Sequence, residues 1–395
     1  MNMLVINPGS IIRFLKKHLH KQRLRRLIFD FLTKGLVLSI VTTEQLTDNS
    51  KKYPTLLFGS QELILADPLL YIEEPPEAIK PSLCKLTLHQ PFVAEILNAQ
   101  LAGPTAAAFD EDGKLILESL PGIDILPLRT LIFQKLFLAK TPQLDIACSL
   151  VNAHNKVYGH WITDCLMRLE GFEYYQEKTG CKPLLILDSN LTSWQIDSLK
   201  LLGYEPDNYI PWNWAKVNVK KLVLPSFRRQ GTWIEANACQ WLRNRMLSNL
   251  PSAQNTQISF SPRIYISRNP KAGRSVINED EVIEALIPFG FVSYTLENIN
   301  FIDEVRLFSQ AEIIIGTHGS GLVNMIFSQN KPIIIDLFSS WYTSWFFNLS
   351  AALGFQYRCL KCQPSEQDLS LTRGNMIVDV AKLKQLISIT LLDSI

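Results

Sequence analysis

The chain has 395 residues, of which 47% are hydrophobic and 19% charged, and its formal net charge is +2. This length exceeds what one hydrophobic core usually serves, so two or more domains are expected. A net charge this small argues neither for nor against a polyanionic partner, and the lack of a basic stripe argues against nucleic acid. No apolar run has the length of a membrane span and the N-terminus lacks a signal-peptide layout, so we expect a cytoplasmic protein.

The seven cysteines are scattered along the chain, and only Cys359 and Cys362 form a C-x-x-C pair. No second pair exists to complete a zinc site. We therefore expect mostly buried thiols in a reducing compartment.

A basic segment lies within residues 1–50. Seven Lys or Arg residues fall between Arg13 and Arg26, with no acid before Asp30, and apolar residues recur among them at helical spacing. Two interpretations stay open. The segment is either an amphipathic helix that lies on an anionic membrane surface, at the inner membrane face, or a solvated helix packed on the protein body.

Residues 51–255 are predicted to be β-rich at first and Rossmann-like afterwards. Segments 106–109 and 114–117 flank Asp112-Gly113, which predicts a hairpin. Asp110-Glu111-Asp112 contains the D-x-D pattern of some metal-dependent sugar transferases, but its position on this turn favours a solvated loop. From residue 157 strands and helices alternate, and Thr232 to Glu235 has the pattern of a capping box that opens a helix.

Residues 256–395 are predicted to form a second Rossmann-like lobe. Apolar runs bounded by turn residues indicate buried parallel strands at 263–268, 291–295, 313–315 and 333–335. The expected architecture is α/β, with two Rossmann-like lobes facing a cleft, a β-rich N-terminal region, and segments 1–50, 51–255 and 256–395.

A glycine loop, Gly316-Thr-His-Gly-Ser-Gly321, follows one of these strands. Its glycines let the backbone approach an anion, and the helix after it directs N–H groups and a positive dipole end toward the same place. The spacing is not that of the dinucleotide fingerprint, the Walker loop or the nucleophile elbow. A phosphate-bearing ligand is one interpretation, and a tight turn with a satisfied histidine is the other.

Two further segments carry chemistry. Ser267 to Arg274 places two arginines and a lysine after a strand, which suits bidentate phosphate capture or simply a solvated loop. In a helix, His160, Asp164 and Arg168 would share one face. A His–Asp pair can act as a general base, although a helix N-terminus with an internal salt bridge has the same pattern.

These three segments, in this order, resemble glycosyltransferase family 61. The matching residues are His160-Trp161-x-x-Asp164, then Ile264 to Arg268 with Arg274, and then the glycine loop through Asn324. The resemblance covers about residues 80 to 340. Thr317 and Ser320 stand where the family usually has alanines, and Asp336 stands where it usually has glutamate.

The resemblance implies a GT-B-like enzyme that binds a nucleotide sugar on the C-terminal lobe and transfers the sugar with inversion. The acceptor would be a hydroxyl of a glycan or lipid-linked molecule, as in polysaccharide biosynthesis, with no cofactor and no required metal. His160 or Asp164 would be the base. The residues expected to bind the donor and its phosphates are Arg268, Arg274, His318, Gly319, Ser320, Gly321, Asn324 and Asp336.

Two other functions compete with this one. One is a nucleotide-sugar-binding module that lacks turnover, and the retention of His160, Asp164 and the basic loop argues against it. An α/β hydrolase that uses Ser320 and His318 is disfavoured by the missing elbow glycines.

Overall fold

The computed structural model describes residues 40–65, 76–83, 85–121, 141–251, 259–270, 273–365 and 374–392. The basic residues between Arg13 and Arg26, together with Cys84 and Lys271, lie outside these ranges. Within the described ranges, no helix combines the length and hydropathy that crossing a bilayer requires.

The strands, in chain order, are β1 (Ile40–Val41), β2 (Thr55–Leu57), β3 (Leu63–Leu65), β4 (Lys85–Thr87), β5 (Phe92–Ala102), β6 (Ala107–Phe109), β7 (Leu115–Ile116), β8 (Gln143–Ser149), β9 (Leu184–Asp188), β10 (Tyr209–Trp212), β11 (Lys216–Pro225), β12 (Arg229–Gln230), β13 (Trp233–Ile234), β14 (Arg263–Ser267), β15 (Val292–Thr295), β16 (Ile313–Thr317), β17 (Ile333–Phe338), β18 (Tyr357–Lys361), β19 (Gln363–Pro364) and β20 (Met376–Ile377).

The α-helices are α1 (Thr43–Asp48), α2 (Tyr158–His160), α3 (Leu169–Thr179), α4 (Ser193–Leu201), α5 (Ala236–Ser248), α6 (Glu279–Leu286), α7 (Phe301–Ser309), α8 (Trp345–Leu353) and α9 (Val380–Leu392). A π-helical turn at Trp161–Cys165 and a 3₁₀ turn at Leu166–Arg168 join α2 to α3. A longer 3₁₀ helix, Ser320–Phe327, follows β16.

The chain forms two compact units, each assembled from separate segments. Of the residues described, the first contains those within 1–55, 94–153 and 212–224, and the second contains those within 56–93, 154–211 and 225–395. The expected division into segments 1–50, 51–255 and 256–395 stays a prediction.

In the first unit, a mixed sheet has the order β1-β7-β6-β5-β11-β8. Phe109 pairs with Leu115, so the predicted hairpin is confirmed. Its turn is solvated at Asp112, but that expectation is wrong for Asp110, which is 3% exposed. The Asp110 carboxylate accepts hydrogen bonds from the Tyr53 hydroxyl and from the N–H groups of Asp112 and Lys114, so it holds the turn together.

In the second unit, a five-stranded parallel sheet has the order β15-β14-β16-β17-β18. Its central strands β16 and β17 are buried along their whole length, as their continuous apolar runs predict. Apolar side chains from these strands pack against α6 and α9, where Val282, Leu286, Leu383, Leu386 and Ile387 are all at most 2% exposed. The predicted parallel α/β lobe is therefore present, and its buried strands fix the loops at their carboxyl ends.

One predicted helix start is wrong. Thr232 to Glu235 does not form a capping box, because Trp233 and Ile234 are buried in β13, which pairs with β12. The helix begins at Ala236 instead, and its first N–H groups donate to the carboxylate of Glu62 at 2.6 and 2.8 Å. Because this cap comes from a segment distant in the sequence, no local sequence pattern predicts where the helix begins.

Among the residues described, most cysteines are buried thiols, as expected, whereas the reducing compartment stays a prediction. Cys148, Cys165, Cys239 and Cys362 are buried free thiols, and Cys181 and Cys359 are free thiols of intermediate exposure.

Candidate active site

The strand order of the parallel sheet creates a switch point between β14 and β16. From β14 the chain crosses to β15 on one side, and it then returns to β16 on the other side. In open parallel sheets, ligands bind in the crevice at the carboxyl ends of the strands where the order reverses. Here those ends are followed by Arg268 and by His318-Gly319, which are two of the segments that the sequence singles out.

A cavity of about 520 Å³ lies at this switch point. Its walls come from the ends of β14 and β16, the segment between β15 and α7, and the start of two neighbouring helices. Residues that line it include Ser267, Arg268, Ser320, Gly321 and Asn324, together with Tyr158, Trp194, Leu296, Glu297 and Glu304. A cavity of this size and polarity is suited to a small polar ligand.

Arg268 lies directly against the glycine loop. A Cβ built on Gly319 would sit 2.1 Å from Arg268 Nη1, so only glycine leaves room for the guanidinium. The backbone of Gly319 is extended, with φ at −178°, so its role is space rather than conformation. Arg268 donates a hydrogen bond to no described residue, and its Nε is buried. Burial lowers the pKa of this guanidinium, against an opposing effect of Glu297. The result is a partly desolvated cation at the edge of the cavity.

Arg274 supports the same loop from another side. Its Nη1 donates to the carbonyl oxygen of His318 at 2.6 Å. Its guanidinium lies 4.7 Å from the centre of the Trp341 ring. Arg268 and Arg274 thus meet at the glycine loop, as their positions in the sequence predict.

His318 is enclosed behind the loop. The side chain is 1% exposed, and its Nδ1 lies 2.6 Å from an oxygen of the fully buried Asp336. The N–H of Thr343 donates to Nε2, so the ring proton is assigned to Nδ1. The Tyr357 hydroxyl also donates to Asp336, at 2.7 Å. The predicted ligand-binding roles of His318 and Asp336 stay predictions, because in this structure both side chains bond to other protein groups.

This geometry also bears on the hydrolase alternative. A serine nucleophile needs an imidazole nitrogen within hydrogen-bond reach. Both ring nitrogens of His318 are engaged by Asp336 and Thr343, which leaves neither for Ser320.

His160 and Asp164 form a second His–Asp pair, with Nδ1 of His160 2.8 Å from Asp164 Oδ2. Asp164 is fully buried, whereas the His160 side chain is 27% exposed. Burial by itself would raise the pKa of Asp164, but hydrogen bonds from His160 and Arg229 lower it to about 2. The ionised carboxylate accepts the Nδ1 proton of His160, which leaves Nε2 as the ring atom that can accept a proton.

Arg229 was not predicted as a site residue. Its Nε and Nη2 donate to the two oxygens of Asp164 at 2.5 and 3.1 Å. The residue expected there, Arg168, is instead buried and donates to the carbonyl oxygen of Pro225. The π-helical turn between His160 and Leu166 adds a residue to the repeat and so turns Arg168 away from the face that Asp164 occupies. The sequence feature that could have indicated Arg229 is the pair of consecutive arginines, Arg228 and Arg229, shortly after the end of β11.

The pair His160–Asp164 and the glycine loop are adjacent through Gly159. A Cβ built on this residue would lie 3.4 Å from the Ser320 hydroxyl oxygen. The helix that carries His160 therefore packs against the start of the 3₁₀ helix after the glycine loop. His154, also unpredicted, places its ring 4.5 Å from that of His160.

Asn324 belongs to a buried polar group that lines the cavity. The Tyr158 hydroxyl lies 2.5 Å from Asn324 Oδ1 and 3.0 Å from Glu304 Oε2, and Asn324 Nδ2 donates to the same Glu304 oxygen at 3.2 Å. Asn324 was predicted to bind the donor, whereas Tyr158 and Glu304 were not predicted.

Residues 158–335 match the family described as Glycosyltransferase 61. The matched range contains every cavity residue except Lys156, the two arginines Arg268 and Arg274, and the pair His160–Asp164. These residues therefore constitute a glycosyltransferase family 61 domain, as the resemblance predicts.

Curated relatives share a short stretch with this chain. An EGF domain-specific O-linked N-acetylglucosamine transferase of Drosophila melanogaster is 30% identical over 97 residues, which is 24% of this chain and 18% of that protein. The protein of the same name from Mus musculus is 25% identical over 100 residues, covering 24% and 19%. The chain thus spans about a fifth of the length of these relatives.

Among solved structures, the dodecameric iron-containing heptosyltransferase TibC in complex with ADP-D-beta-D-heptose aligns over 74% of this chain and 78% of its own. The TM-score is 0.27 and the sequence identity 11%, so this likeness carries no argument about the fold.

Proposed function

We propose that this protein is a glycosyltransferase of the GT-B class, which transfers a sugar with inversion from a nucleotide sugar to a hydroxyl of a glycan or lipid-linked acceptor. The observation that carries the proposal is the placement of Arg268 over Gly319, at a cavity on the switch point of a parallel sheet. An unpaired cation beside a glycine loop and a helix start is suited to a diphosphate.

The leaving group sets the first chemical requirement. When the sugar departs, negative charge accumulates on the nucleoside diphosphate, and fixed positive charge there lowers the barrier. Arg268 supplies a desolvated guanidinium, and Ser320 and Gly321 supply the first N–H groups of the 3₁₀ helix. Arg274 holds the loop in place through the carbonyl of His318. In this proposal the charge is neutralised without a required metal.

The acceptor hydroxyl sets the second requirement, which is a base. We assign this role to His160, because Asp164 is buried, doubly bonded to Arg229 and acidic, with a pKa of about 2. His160 Nε2 takes the proton as the hydroxyl oxygen forms its bond to the anomeric carbon and the bond to the diphosphate breaks. A single displacement of this kind inverts the anomeric centre. Asp164 orients the imidazole and stabilises the imidazolium that forms.

The donor sugar and the acceptor remain to be identified by experiment. The names of the relatives make N-acetylglucosamine one donor sugar to include, alongside other hexoses and pentoses. Action near an anionic membrane surface at the inner face stays part of the proposal, through the basic segment within residues 1–50.

The test is a thermal-shift screen of the purified protein against UDP, GDP, CDP, ADP and dTDP and their sugars, with and without chelator. One nucleotide class should raise the melting temperature, because only the folded state binds it. At a hundredfold excess over Kd, this binding adds about 2.7 kcal/mol to the free energy of unfolding. Arg268→Ala should abolish the shift. Absence of a shift with every nucleotide would contradict the proposal.

A second measurement separates an enzyme from a binding module. The nucleotide sugar that binds is incubated with acceptor glycans and glycolipids, and release of nucleoside diphosphate is followed over time. Binding with no release in the presence of any acceptor would favour the module without turnover.

A further inference from the structure

The buried group Tyr158–Glu304–Asn324 has an unusual proton requirement. Its polar atoms form a closed ring, in which each neighbouring pair lies 2.5 to 3.2 Å apart. Each of the three contacts needs one hydrogen between its two heavy atoms. Asn324 Nδ2 supplies the hydrogen of its contact with Glu304. The Tyr158 hydroxyl supplies one hydrogen, and the shorter distance places it in the contact with Asn324 Oδ1. The third, between Glu304 Oε2 and the Tyr158 oxygen, is supplied only when Glu304 carries a proton.

The surroundings of Glu304 favour that state. The residue is 7% exposed, and burial raises its pKa to about 7. The nearby Glu297 also raises the pKa, whereas the hydrogen bond from Asn324 lowers it. Oε1 takes no hydrogen bond from any described residue, yet it is not a fully buried atom, and Glu304 lines the cavity. The other titratable groups on this cavity are Lys156, Tyr158, Asp197, Arg268 and Glu297.

We propose that Glu304 is a specificity-determining residue of the donor cavity and acts there as a neutral carboxylic acid. Its Oε1, a carbonyl oxygen in this state, accepts a hydrogen bond from a hydroxyl or N–H group of the nucleotide sugar. The inference rests on the proposed function, since it places the donor in this cavity.

A neutral Glu304 is favourable for donor binding in the cavity that Arg268 also lines. A carboxylate in the same cavity would repel the diphosphate and compete for the guanidinium, whereas a neutral acid offers an acceptor oxygen without either effect. Loss of the proton also removes one hydrogen bond from the ring. Both consequences weaken donor binding as the pH rises above about 7.

The test measures the Kd of the nucleotide sugar found in the screen, at pH 6 and pH 8, for wild type, Glu304→Gln and Asp197→Asn. Wild-type affinity should fall about tenfold between these pH values, and Glu304→Gln should remove that fall because the amide is neutral throughout. Asp197→Asn removes another carboxyl group from the same cavity and should keep the wild-type fall. A nucleotide sugar has no phosphate that titrates in this range, so the ligand contributes no pH dependence of its own.

Identical profiles for wild type and Glu304→Gln would overturn the inference and leave the proposed function intact. Failure of every nucleotide sugar to bind at both pH values would overturn both. If Glu304→Gln does not fold, infrared spectroscopy replaces the affinity comparison. Glu235 is another buried carboxyl group whose pKa burial raises to about 7, so the spectra are recorded on Glu235→Gln. In this variant without ligand, infrared difference spectra between pH 6 and pH 8 should show the band of a protonated carboxylic acid, and its absence would also overturn the inference.

Discussion

At the scale of single residues, the two His–Asp pairs have opposite environments. The His160 side chain is 27% exposed and bonds to Asp164 through Nδ1, whereas His318 is 1% exposed and bonded through both ring nitrogens. The sequence marks both histidines equally, because each lies in a short polar motif. Only burial separates them, so substitutions at these positions should have different consequences.

His160→Ala should lower kcat by about 10² to 10⁴ while leaving the melting temperature nearly unchanged, since a general base is lost from a partly exposed position. Transfer assays with the identified donor measure the first effect, and thermal denaturation measures the second. His89→Ala is the matched control, since His89 is an exposed histidine outside this site. Wild-type turnover in His160→Ala would remove this residue from the mechanism.

His318→Ala should reduce the free energy of unfolding by about 3 kcal/mol. The substitution leaves the buried carboxylate of Asp336 without its imidazole partner, and an uncompensated buried charge is costly. Denaturant titration of the variant and of His318→Ala/Asp336→Asn checks this, because removing the charge as well should recover part of the loss. Unchanged stability combined with weaker nucleotide binding would instead indicate that the ring contacts the ligand.

At the scale of elements, the site depends on how the glycine loop meets the end of β14. The loop, the strands and the two arginines were predictable, because glycines, apolar runs and basic residues each leave a local signal. The π-helical turn at 161–165 was not, and neither were the contacts that Arg229 and Glu62 make over long sequence separations. Such contacts arise from packing, for which spacing along the chain carries no information.

Gly319→Ala should weaken nucleotide diphosphate binding by about tenfold, because the added methyl group displaces the Arg268 guanidinium from a charge-assisted contact. The extended backbone tolerates alanine, so circular dichroism should report a native fold. The control is a double-mutant cycle, in which Gly319→Ala should have little further effect once Arg268 is alanine. Equal effects in both backgrounds would show that the glycine acts independently of the arginine.

At the scale of the whole molecule, the order of segments in the chain does not match the compact units. Residues 56–93 join the unit that contains the C-terminal sheet, although more than a hundred residues separate them from it. Sequence patterns correctly identified the parallel sheet and its switch-point loops, because these depend on neighbours in the chain. Which segments assemble into one unit depends on long-range pairing, and this is why the domain boundaries stay a prediction.

Stability should decrease as the pH rises from about 5 to 8, because two buried glutamates, Glu304 and Glu235, titrate in this window. Burial raises the pKa of each to about 7 in the folded protein against a usual value of 4.5, so the folded state binds more protons. Stability is therefore fully present below the unfolded pKa and is lost as the pH rises through the folded one, by up to about 3 kcal/mol for each residue. Urea denaturation at pH 5 and pH 8 should show a smaller decrease for Glu304→Gln than for wild type. An equal decrease in both proteins would assign the effect to other groups.

The extended backbone at Gly319 has a consequence for how this family varies. A glycine required by its φ angle is retained whatever its neighbours are, but this one is required only while a long basic side chain occupies the space beside it. Positions 319 and 268 should therefore vary together: a related protein with a larger residue in place of this glycine should also lack the arginine, and should hold its anion with a group that approaches from another direction.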